Sequence, residues 1–302
     1  MAALDELVYQ AMSQDATLAT LLAQWNGNPA VFGYHAPPDT DPGWAGKQYP
    51  RMDYTVDPHE DPERRMAGTL SINVWATPDL QSSIDAVASR LVQLLDGAVF
   101  HPDDYPVVGL RWSRSQLFSQ GREQSGISMS ELEPTDLLLG MLVQFDLLSF
   151  PLQTTYSPDP VAALNSWAAS RFTGLQVDVS AWTPTASEPV LYWRMEGVQL
   201  AERTAAVAWM QATLYGHVIA PTPDQRLPWV RRVAEQLVLD RCIQLDDGSY
   251  FFVEKLSADT KQDPLRTGQI RVIGRYGVLV PEQTAEPINT ANVSGAVNGQ
   301  VT

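Results

Sequence analysis

Tyr49–Asp53 reads YPRMD, and 143 positions later Tyr192–Glu196 reads YWRME. Each stands at the opening of a run that alternates apolar and polar residues, the period of a half-buried strand. Five letters can recur by chance, so the text that follows each copy decides. After the first come MAGTLSINVWA (Met66–Ala76), a strand, the tripeptide TPD (Thr77–Asp79), and the amphipathic helix LQSSIDAVASRLVQLLD (Leu80–Asp96). After the second come AAVAWMQATLYGHVI (Ala205–Ile219), a strand, again TPD (Thr222–Asp224), and QRLPWVRRVAEQLVLDR, where Val233, Ala234 and Leu237 answer Val87, Ala88 and Leu91. The offset drifts only from 143 to 146 across these landmarks, as a duplicated unit with small loop insertions requires.

The other segments complete each unit. DELVYQAMSQDATLATLLAQ (Asp5–Gln24) has helical spacing and is expected to form a helix or helical hairpin capped by Asp5. Gly27–Gln48, rich in Gly, Pro and Asp, is expected to be a long surface loop. VVGLRWSRSQLFS (Val107–Ser119) and LLLGMLVQFDLLSF (Leu137–Phe150) read as a third and fourth strand. In the second half, DPVAALNSWAASRF opens a helix with Asp159 as cap and Pro160 in its first turn. CIQLDDGSYFFVEKL is expected to be a strand or a hairpin around Asp247-Gly248, and GQIRVIGRYGVLV is the closing strand. The expected fold class is α+β, with two tandem similar domains, each a twisted, mainly antiparallel sheet with helices on one face. Residues 1–150 and 161–282 would be the domains, 151–160 a Pro-containing linker, and 283–302 a flexible tail.

At 302 residues, about two domains is the ordinary expectation, and each can bury a core without staples. The single cysteine, Cys242, has no internal partner and is expected to be a buried inert thiol. The opening MAALDELVYQ carries acids where a secretory signal would carry positive charge, and no run reaches the length of a membrane helix. The expected setting at synthesis is therefore the cytosol. A net charge of −15 has the wrong sign for gripping phosphates. It suits a surface past which DNA slides without adhering, or solubility alone.

Few residues suggest chemistry. His35, His59, His101 and His217 are scattered without metal-ligand spacing. There is no nucleophile elbow, P-loop or dinucleotide fingerprint, so neither metal nor cofactor is expected and the chain reads as a non-enzyme. The acids of DPHEDPERR (Asp57–Arg65) fit a solvated hairpin tip better than a calcium loop, since two prolines interrupt them. Asp103-Asp104 and Asp246-Asp247 fall in expected turns, where Asp is favoured by its backbone hydrogen bonding. Arg226, Arg231 and Arg232 fit a salt-bridged helix face with Asp224 and Glu235. Trp75, Trp112, Trp209 and Trp229 fit core or interface anchors.

The first half, from DATLATLL through YPRMDY, RRMAGTLSINVWA, AVASRLVQLLDG and VVGLRWSRSQLF to LLLGMLVQFDLL, resembles the tail terminators, or tail-completion proteins, of tailed bacteriophages. The second half resembles the same unit more faintly, through the repeat. The resemblance implies a structural virion protein that caps the head-proximal end of the tail tube and joins it to the head connector, with DNA passing through its ring. Implied partners are other copies of itself, tail tube protein, connector or neck proteins and sheath protein, with DNA only in transit and no membrane. The second unit departs from the family, leaving a homohexamer, which is preferred, or a trimer with pseudo-six-fold symmetry. The rival readings are another neck or baseplate adaptor, and a hydrolase. Candidate interface residues are Arg51 and Asp53, which share one strand face, with Arg194 and Glu196 as their counterparts. The rest lie on the polar loops at Asp57–Arg65 and Gln120–Asp136: His59, Glu60, Arg64, Arg65, Arg122, Glu123, Glu131 and Glu133.

Overall fold

A computed structural model describes residues 3–59, 66–103, 106–121, 137–150, 156–177 and 189–281. The chain starts as helix α1 (Leu4–Ser13), whose buried stripe Leu4, Val8 and Met12 has helical spacing. Because Leu4 already belongs to that stripe, the helix begins one residue before Asp5. The capping position is Ala3, and Asp5 sits in the first turn rather than capping it, contrary to the expectation. The aspartate that does cap is Asp15, whose carboxylate accepts the Leu18 amide at the head of α2 (Ala16–Leu21).

Gly27–Gln48 is not all loop. A two-residue ribbon, β1 (Gln24–Trp25) with β2 (Asn28–Pro29), turns through Asn26 and Gly27, both at positive φ. Buried Val31 then draws β3 (Val31–Gly33) against β4 (Arg51–Pro58) as a parallel edge strand. β5 (Met66–Ala76), α3 (Gln81–Leu95), β6 (Val99–Phe100), β7 (Val107–Gly121) and β8 (Leu137–Phe150) follow the expected order. The sheet runs β3-β4-β5-β8-β7-β6 and is antiparallel except at β3. Alternation sends Met52, Leu70, Ile72, Val74, Leu110 and Phe145 to one face, where they pack with Ile84, Val87 and Leu91 of α3 and with α1 and α2.

The second half gives α4 (Pro160–Arg171), β9 (Val190–Arg203), β10 (Val207–Ile219), α5 (Pro223–Asp240), β11 (Cys242–Gln244), β12 (Tyr250–Ala258) and β13 (Ile270–Leu279). Asp159 caps α4 as expected, accepting the Val161 and Ala162 amides. Gly248, at φ +83, turns the β11–β12 hairpin. The sheet order is β11-β12-β13-β10-β9. Written from the other end, β9-β10-β13-β12-β11 is the order of β4-β5-β8-β7-β6, with a helix after the second strand in both. Gln176 even bridges Val190 in parallel, where β3 lies along β4. Its own core gathers Leu164, Trp193, Leu214, Val233, Leu237, Phe251 and Val272. The α+β class and the paired sheets are therefore as the sequence leads one to expect.

Cys242 departs from expectation: it is exposed. Its neighbour Ile243 is 3% exposed and faces the core, so strand alternation turns the thiol outward.

Candidate assembly surfaces

Around the repeated pentapeptide, Met52 is fully buried and Arg51 and Asp53 face away from the helices, as strand alternation demands. They do not pair with each other. Arg51 donates from Nη1 to Asp39 at 2.6 Å and stacks 4.6 Å from the Tyr49 ring centre. Asp53 accepts Nδ2 of Asn73 at 2.9 Å and the Trp75 indole N–H. Burial raises the Asp53 pKa, and these two donors pull the other way. Both candidates are thus engaged within the chain. Arg194 and Glu196 pair with each other at 2.6 Å, with the guanidinium over Tyr215 and half of the Glu196 side chain exposed.

His59 is exposed at the end of β4, its amide donating to Ala67 O. Glu60, Arg64, Arg65, Arg122, Glu123, Glu131 and Glu133 lie outside the described residues. Of the helix arginines, Arg231 does pair with Glu235 at 2.6 Å, and Arg232 lies over the Phe172 and Trp229 rings.

Two features stand out that no sequence motif announced. One is the edges. β6 covers β7 only at Val108 and Gly109, and β11 covers β12 only from Tyr250 to Phe252. Among the described residues, no strand pairs with the outer edge of β7 from Ser113 to Gly121, nor of β12 from Glu254 to Ala258. The β9–β10 hairpin also projects, with Val198 and Leu200 about half exposed. Unpaired strand edges are templates for another chain's backbone.

The other feature is the junction between the sheets. Val107, Leu148 and Phe150 from the first meet Val190, Tyr192, Ile219 and Leu265 from the second. Phe150 stands edge-on to Tyr192 at 5.4 Å and to His217 at 5.9 Å. The His217 Nδ1–H donates to Pro264 O at 2.8 Å. Charge closes the contact: Arg111 reaches Asp96 and Asp263, and Arg266 reaches Asp146. A cavity of about 220 Å³ beside it is lined by Asp96, Arg111, Pro221, Arg226 and Leu265, among others. Desolvation, then the neighbouring Arg111 charge, depresses the Arg226 pKa, while Asp263 works against them. The Asp96 carboxylate there is committed to Arg111. Among the described residues no group of three or more His, Cys, Asp or Glu side chains converges as a metal site.

No family model matches the chain, and no curated protein matches it. Among solved structures it is similar to a chain from the "Virion of native gene transfer agent (GTA) particle", at 21% identity, over 49% of this chain and 96% of that one, with a TM-score of 0.33. A superposition that loose carries no argument about function.

Proposed function

We propose that the chain is a structural protein of a tailed bacteriophage virion, a tail terminator that acts by assembly rather than catalysis. It would stop tube growth at the head-proximal end, join the tail to the connector, and line a passage for DNA. The observation that carries this reading is a pair of sheets with one strand order, in which β7 and β12 run past the short strands covering them. Such edges suit a protein completed by its neighbours. The resemblance of the first half to tail terminators supplies the place in the virion, and the net charge of −15 suits a lumen that DNA traverses without adhering. Other copies, tube protein, connector or neck proteins and sheath protein are the expected partners. The chain would work in the virion neck after synthesis in the host cytoplasm.

The test is to label the chain in intact particles and locate it by electron microscopy. Label at the head–tail joint supports the reading. Label at the baseplate replaces it with the adaptor reading, and no label in the particle overturns both.

A further inference from the structure

An arginine drawn out of water ordinarily comes with a counter-charge, because an unpaired cation in a protein interior is costly. Arg226 has none. Its Nε is shut off from solvent without a hydrogen-bond partner, and among the described residues no ion pair joins its guanidinium to an acid. Arg51, Arg194 and Arg275 also carry a buried, unbonded Nε, but each is ion-paired with a carboxylate, at 2.6, 2.6 and 2.8 Å. The field around Arg226 does not make up the difference. Burial disfavours its charge most, Arg111 adds to that, and the attraction of Asp263 is the smallest of the three.

Arg226 stands in the first turn of α5, and with Arg111 of β7 it lines the cavity of about 220 Å³ beside the junction. The acids nearby are otherwise engaged. Asp96 accepts Nη1 of Arg111 and the Trp112 amide. Asp263 accepts Nε of Arg111 and the amides of Leu265 and Arg266. Asp224, in the same turn of α5, is exposed and has no ion pair among the described residues. Arg111 spends Nε and Nη1 on its two carboxylates, and no hydrogen bond among the described residues uses its Nη2. The cavity is therefore flanked by one guanidinium with no partner and a second with donors to spare.

The geometry points to a binding site for a small oxyanion of phosphate size in this cavity, held by Arg226 from the second unit and by Nη2 of Arg111 from the first. The anion supplies the counter-charge that the chain does not. A tetrahedral oxyanion presents acceptors in several directions, so one ion can bond two guanidinium groups that arrive on different elements. The cavity holds many times the space of one water, and it is far too small for a helix, about 10 Å across. A net charge of −15 repels a polyanion, so the ligand is a free oxyanion rather than a nucleic-acid backbone. Bound there, it ties α5 to β7 and adds to the contact between the sheets.

Isothermal titration of inorganic phosphate into the full chain tests this, with ionic strength held constant by sodium chloride. The expected result is saturable binding of one ion per chain, with sulfate competing and chloride not. Arg226→Gln should weaken phosphate binding about tenfold or more, through the loss of charge-assisted bonds. Arg231→Gln, on the same helix but exposed and outside the cavity wall, should leave it unchanged. Phosphate also stabilises proteins by exclusion from their surfaces, so melting is read as a difference. Saturating phosphate should raise the melting temperature of the wild type more than that of Arg226→Gln. Without phosphate the variant should melt no lower than the wild type, since it loses no internal partner, and this shows that it folds. A wild-type chain without saturable binding overturns the inference. So does binding that Arg226→Gln retains in full, that Arg231→Gln loses equally, or that a short DNA duplex matches.

Discussion

The Nε of Arg111 stands 2.7 Å from the carboxylate of Asp263, 152 residues later in the chain, and with the Arg266–Asp146 pair it closes the contact between the two sheets. The same guanidinium holds Asp96 at 2.9 Å, and Asp96 in turn accepts the Trp112 amide. Arg111 is therefore the hub and Asp263 one spoke.

Arg111→Ala should lower the unfolding free energy by about 1–3 kcal/mol, since it removes the charge-assisted hydrogen bonds to Asp96 and Asp263 at a half-buried site and leaves both carboxylates largely to backbone amide donors. Asp263→Asn should cost about 1 kcal/mol or less, because its amide oxygen can still accept the Leu265 and Arg266 amides. Denaturant midpoints for the two variants check the order, and equal midpoints would refute the hub.

Phe150 is 1% exposed and reaches both Tyr192 and His217. Phe150→Ala should cost about 3–5 kcal/mol. Because each sheet has its own core, the loss should also split unfolding into two transitions, visible by calorimetry. A single sharp transition in the variant would show that the units do not fold as separable bodies.

Two glycines lie under aromatic rings. A Cβ on Gly216 would come within 2.6 Å of the Trp193 ring, and one on Gly140 within 2.3 Å of Phe118. Trp193 is locked in the core at 1% exposure, whereas Phe118 is only half-buried and its ring can swing outward. Gly216→Ala should therefore cost about 1–3 kcal/mol, and Gly140→Ala clearly less despite the closer approach. Melting temperatures in the reverse order would sink this account.

Asp15 caps α2 and pairs with Arg90 of α3 through two bonds, at 3.1 and 2.6 Å. The hydrogen bond from Arg90, chiefly, holds its carboxyl below the ordinary value, against the opposing effect of burial. A depressed folded-state pKa gives stability that is present above the unfolded value, about 4, and lost as pH falls through it toward the folded one. Asp15→Ala should cost about 1–2 kcal/mol at pH 7. The gap to wild type should narrow below about pH 4. Thermal melts at both pH values test it, and a gap that widens in acid would contradict the sign.

Element order was legible because each strand or helix carries its own period. Leu137–Phe150 and Met66–Ala76 match the structure end to end, and the apolar face of α3 set its place without any tertiary information. Short edge pieces were not legible. β3 has only three residues and no period to read, and it forms because β4 offers it an edge. Asp5 misled because it precedes a helical run and looks like a cap, yet Leu4 was already needed in the core. Cys242 misled because thiols are usually buried, whereas alternation beside Ile243 put it outside.

The site divides in the same way. Arg51, Asp53, Arg194 and Glu196 could be placed on strand faces from period alone, but their partners could not. Asp39 lies in a loop, and Trp75 on another strand. Asp263 carried no signal, because it becomes meaningful only beside Arg111.

By itself, the sequence determined that one strand-and-helix unit is written twice, since apolar periods and landmark spacings are local and survive in a single line of text. The tertiary structure alone decided that the units meet through unlike surfaces, burying the hairpin face of Val107, Leu148 and Phe150 while Tyr250 and Phe252, on the counterpart face, are not covered by the described residues. Burial depends on what packs against a residue across space, and no local pattern encodes that.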